Sequence, residues 1–67
     1  MFAKDYERML IKRAEITTST VYKMALRGAL ADYHEANGMD REDARIKAER
    51  QIRVTRIKRA AALLSQA

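Results

Sequence analysis

Residues 40–65 read DREDARIKAERQIRVTRIKRAAALLS, a stretch free of proline and glycine. It predicts one long helix. Asp40 offers an N-cap oxygen, Glu42 and Asp43 fall in the first turn, and basic residues crowd the later turns. Acids at the start and cations toward the end both suit the helix dipole. At the α-helical rise, such a helix is about 39 Å long. Its apolar residues divide between two sides. Ile46, Val54, Ile57, Ala61 and Leu64 share one; Ala48, Ile52 and Leu63 share another. A single intrachain contact covers one stripe, so the second asks for another partner. A homodimer follows, with Ile46, Ile52, Ile57, Leu63 and Leu64 expected at its interface.

Working upstream, Asn37-Gly38 is a stop signal, because this pair readily supplies the left-handed residue that closes a helix. Before it, a second helix is expected over 18–37. Val21, Met24, Ala25, Gly28 and Ala29 form one apolar sector, with Tyr22, Leu26, Leu30 and Tyr33 beside it. So broad an arc predicts the central helix of a bundle, with Gly28 either permitting a close helix approach or costing some stability. A first helix is expected over 3–15. Phe2, Tyr6, Met9, Leu10 and Ile16 form its apolar sector, opposite Lys4, Arg8 and Lys12. The only β-branched cluster, Ile16–Val21, is rich in hydroxyls and fits a helix N-terminus better than a strand. The expected fold is all-α, three helices in a single small domain over residues 1–67.

Composition narrows the function. At 67 residues, with no cysteine, the chain has neither disulfides nor thiolate metal sites to support a small core. One histidine, His34, makes a His-based metal cluster unexpected, and it reads as an exposed helix residue. Asp40-Arg41-Glu42-Asp43 is too short for a calcium loop and is better explained by capping. Tyr6, Tyr22 and Tyr33 read as core-edge residues rather than base-stacking platforms. No Ser–His–Asp or Cys–His set and no phosphate loop is present, so neither an enzyme nor a cofactor is expected. The longest apolar run, Ala60–Leu64, falls far short of the roughly 20 residues that span a bilayer. Residues 1–5 do not open a signal peptide, and a cytoplasmic protein without membrane contact is expected.

Charge is the most directional feature. The chain carries 14 Lys/Arg and 9 Asp/Glu, and every acid lies at or before Glu49. Arg50, Arg53, Arg56, Lys58 and Arg59 follow with no acid among them, which leaves residues 1–49 formally neutral. Segregation of this kind is usually directed at a polyanion. Arg50, Arg53 and Arg56, three apart, form a ridge that can track a phosphate backbone. Two other readings compete: a solvated face paired with acids such as Glu42 and Glu49, and a surface that docks on an acidic host protein.

Residues 10–25, LIKRAEITTSTVYKMA, resemble the helix-turn-helix of bacterial repressors and DNA recombinases. The resemblance makes Ile16 the apolar turn residue and Thr17 the cap. It implies that Val21 and Met24 are buried, and that Thr18, Ser19, Thr20, Tyr22 and Lys23 face the DNA groove. Hydroxyls and lysine suit phosphate contacts, and short polar side chains reach base edges. The resulting expectation is a small nucleic-acid-binding regulator, DNA more than RNA. The alternative is a helical inhibitor or adaptor, of phage or plasmid type, docked on a host protein.

Overall fold

The computed structural model describes residues 3–66, of which all but two short connections are helical. Helix α1 spans Ala3–Ile16, α2 Thr20–Ala36 and α3 Arg41–Gln66. The three pack pairwise against one another; α1 and α3 run the same way, with Glu7 beside Gln51 and Ile16 beside Arg59, and α2 runs against them, with His34 beside Gln51 and Met24 beside Arg56. Phe2, expected in the α1 stripe, lies outside the described residues.

The punctuation is local and complete. At the start of α2, the Ser19 hydroxyl accepts from the Tyr22 amide at 3.1 Å, and Thr17 Oγ1 accepts from the Ser19 amide at 3.1 Å. Ser19, not Thr17, is therefore the N-cap. Helix α2 ends as Asn37-Gly38 predicts. Gly38 takes φ +99°, its amide donates to Glu35 O, and the Met39 amide donates to His34 O. These paired bonds are the Schellman arrangement, and they satisfy carbonyls the helix end leaves free. Asp40 then caps α3: its Oδ2 accepts from the Glu42 amide at 3.2 Å and its carbonyl from the Ala44 amide at 2.8 Å.

The core is small. Leu10 and Ala14 of α1, Leu26 and Leu30 of α2, and Ala48 and Ile52 of α3 pack together, with Ile11, Ala29 and Ala31 at the edge. Leu30 is 0% exposed, and burying a leucine is worth roughly 1.5–3 kcal/mol. The α3 stripe that faces the bundle is Ala44, Ala48, Ile52 and Thr55. Three of these four are small or polar. The Thr55 hydroxyl is satisfied within its own helix, donating to Ile52 O at 2.6 Å.

Several burial expectations are corrected. Tyr6, Met9 and Ile16 are exposed on α1, where Leu10 and Ala14 make the contact. Val21 is 78% exposed and Met24 is exposed, so α2 uses only the sector of Leu26 and Leu30. Both placements differ from the burial that the helix-turn-helix resemblance implies. Gly28 admits no close helix, since a Cβ built there meets nothing within 4 Å. Ile52 belongs to the chain's own core and is not free for a dimer interface, whereas Ile46, Ile57, Leu63 and Leu64 remain exposed. On α2 the contact is made by Leu26 and Leu30, which fit against small residues of the other two helices. Alanine on α1 and α3 lets the axes approach closely, so the contact forms along the small stripe and larger residues stay outside.

Candidate nucleic-acid interface

Helices α2 and α3 run side by side, and the N-terminal half of α2 lies against the middle of α3. On one flank their side chains form a recess of ≈ 260 Å³ lined by Thr20, Lys23, Met24, Arg27, Ile52 and Arg56. This is smaller than the ~300–1,000 Å³ of a typical small-molecule pocket. A neighbouring recess continues it through Arg27, Glu49, Ile52, Arg53 and Arg56. Lys23 and Arg27 from α2, with Arg53 and Arg56 from α3, thus line one groove. Among the described residues none of the four is in an ion pair. The one acid there, Glu49, is held by Arg45 at 2.8 Å.

Four cations surround an open recess over the buried Ile52, where an anion placed between them is attracted by all four. The arrangement therefore favours a polyanion, with lysine as a mobile point charge and the arginines as bidentate donors. Thr20 adds a hydroxyl at the first turn of α2, next to amides without helical acceptors.

The ten residues singled out in sequence separate into distinct places. Thr20, Lys23, Arg53 and Arg56 meet in this groove. Arg50 and Lys58 lie on the opposite flank of α3, in a groove with Ile11, Glu15 and Val54. Arg59 is half-buried and caps the end of α1, its Nη1 donating to Ile16 O at 3.1 Å and Thr17 O at 2.8 Å. Tyr22 turns toward α1, where its hydroxyl accepts from Arg13 at 3.4 Å. Thr18 is exposed in the α1–α2 connection, and the Ser19 hydroxyl is used in capping. Arg27 is the member that sequence reasoning missed. Its signal was present, since it lies four residues after Lys23 on the same helix face.

Two other features lie outside this groove. A larger recess, ≈ 600 Å³, lies between the later part of α2 and the start of α3. Asp32, Glu35, Asp40 and Glu42 share it with Arg27, Arg41 and Arg45, so it has no net charge preference for an anion. The second feature is a polar link that draws one residue from each helix. His34, expected to be exposed, is only 4% exposed, and its Nε2 lies 2.8 Å from Gln51 Oε1. Gln51 Nε2 in turn donates to Glu7 Oε2 at 2.7 Å. Tyr33 stacks edge-on to His34 and near Tyr6, at ring separations of 5.3 and 5.9 Å. The histidine's partners make it a structural cross-link. Among the described residues no group of three His, Cys, Asp or Glu side chains is placed to hold a metal ion. None of the helices is long and apolar enough to cross a membrane. Comparison with protein-family models, curated proteins and solved structures finds no match.

Proposed function

We propose that this protein is a small cytoplasmic nucleic-acid-binding regulator that grips a phosphate backbone through the α2/α3 groove. The observation that carries the reading is the convergence of Lys23, Arg27, Arg53 and Arg56, from two helices and outside any ion pair among the described residues, on one groove. Cations neutralised by internal acids would point to a solvated face; these are not. DNA is the favoured nucleic acid because Thr20 and Lys23, in the segment that resembles a helix-turn-helix, reach the groove, although Val21 and Met24 of that segment are exposed rather than buried. With phosphate contacts dominant, affinity falls steeply with salt and persists on random sequence. A fluorescence anisotropy titration with duplex DNA at two salt concentrations tests this. Binding that weakens with salt supports it, and absence of binding at low salt rejects it.

A second reading is supported by Met24, an apolar side chain in the wall of the same groove. A groove with cations and one apolar anchor point also suits an acidic segment of a host protein, as for an inhibitor or adaptor. That partner would bind one site tightly and leave random DNA unbound.

A further inference from the structure

Helices α1 and α3 run side by side in the same direction, and an open groove of ≈ 260 Å³ lies between them. It is on the flank of α3 away from the phosphate groove. Ile11 of α1, half-buried, and Val54 of α3, 48% exposed, are its apolar part. Two polar residues complete the floor, and both are engaged inside the bundle. The Thr55 hydroxyl donates to Ile52 O at 2.6 Å. The Gln51 amide is held between His34 and Glu7, at 2.8 and 2.7 Å. What the floor leaves to an occupant is chiefly apolar contact.

The rim is charged. Lys47, Arg50 and Lys58 line the α3 side, against one acid, Glu15, on the α1 side. Among the described residues none of these four is in an ion pair. Lys47, Arg50, Val54 and Lys58 follow one another at spacings of three, four and four. They therefore share one edge of α3 over about three turns, roughly 16 Å.

We infer that this groove docks an acidic amphipathic helix of a partner protein. Its apolar stripe lies on Ile11 and Val54, and its acidic edge runs along Lys47, Arg50 and Lys58. Two helices side by side present a trough that a third helix fits. A helical occupant places acids one turn apart and again two turns further on, which is the spacing of the three cations. Charge names the partner. Three cations to one acid attract an acidic edge and oppose a basic one. A phosphate backbone would meet the same cations but gain nothing from Ile11 and Val54. The inference does not depend on the nucleic-acid reading, because the two grooves share no lining residue. Each stays open while the other is filled, so one chain can join a nucleic acid to a protein.

Three labelled helical peptides of about three turns test it by fluorescence anisotropy at low salt. One carries a leucine stripe flanked by glutamates, the second the same stripe flanked by lysines, and the third the glutamates with serines in place of leucines. The first should bind about tenfold more tightly than the second, as three rim ion pairs would give. The third should bind weakly, because the floor offers it little. Arg50→Glu with Lys58→Glu should erase the preference for glutamate. Val54→Ser should weaken the first peptide several-fold and leave helical content intact, since Val54 is exposed. Excess duplex DNA should leave the peptide in place. No binding of the first peptide, equal affinity for all three, or indifference to the Arg50/Lys58 reversal would overturn the proposal. Displacement by duplex DNA would also overturn it, and would make this groove part of a nucleic-acid surface.

Discussion

Arg59 and Thr17 lie 42 residues apart in sequence and are joined by a 2.8 Å hydrogen bond from the guanidinium to the backbone carbonyl. The same Nη1 reaches Ile16 O at 3.1 Å, so one side chain of α3 closes the C-terminal end of α1. Helix ends leave four carbonyls without helical donors, and a cation there also suits the dipole. The most basic stretch of the chain is thus divided in purpose, with Arg59 serving the fold while Arg53 and Arg56 line the groove.

Replacing Arg59 with Ala should lower stability by about 1 kcal/mol, the usual net worth of such a bond, and leave nucleic-acid affinity nearly unchanged. Thermal unfolding followed by circular dichroism measures the first, and a binding titration the second. An unchanged melting temperature with lost binding would move Arg59 into the interface.

Gln51 joins His34 to Glu7 across all three helices. Gln51→Leu keeps similar bulk but leaves the buried His34 ring nitrogen without that partner. The expected loss is about 1–3 kcal/mol in a urea titration, a large share of the stability of so small a bundle. A neutral result would mean that water replaces the amide at no cost.

Gly28 sits mid-helix with open space where a Cβ would go. Gly28→Ala should therefore stabilise the protein by about 0.5–1 kcal/mol, since it restricts the unfolded chain and clashes with nothing. Destabilisation in the same urea titration would show that another molecule needs that surface.

Val21→Asp separates two accounts of α2. A helix-turn-helix core position would not tolerate the carboxylate, whereas Val21 at 78% exposure should accept it with little change in unfolding midpoint. An unfolded variant would contradict the observed placement.

These outcomes trace what the sequence made legible. Helix number and ends followed from local chemistry: Asn37-Gly38 closed α2 and Asp40 opened α3, because caps depend on residues within a few positions. The buried faces were less legible. A helical wheel ranks Val21 and Met24 as core by size, but both stay exposed while Ala14, Ala44 and Ala48 are fully buried where the helices meet. Close approach of axes is a property of pairs of helices, which no single helix's pattern contains. The groove was half legible for the same reason. Arg53 and Arg56 stood out in the basic stretch and Lys23 in the α2 segment. Their meeting, and the role of Arg27, needed the packing of α2 on α3.

The central claim is that Lys23, Arg27, Arg53 and Arg56 act together on phosphates, and the salt dependence of duplex binding tests it most directly. Four neutralised phosphates per chain predict a log K versus log salt slope of about −3.6, and Arg27→Ala should flatten it by about 0.9. Arg50→Ala, on the other flank of α3, should leave the slope nearly as it is. A slope that Arg27→Ala does not alter, or binding indifferent to salt, would contradict the account.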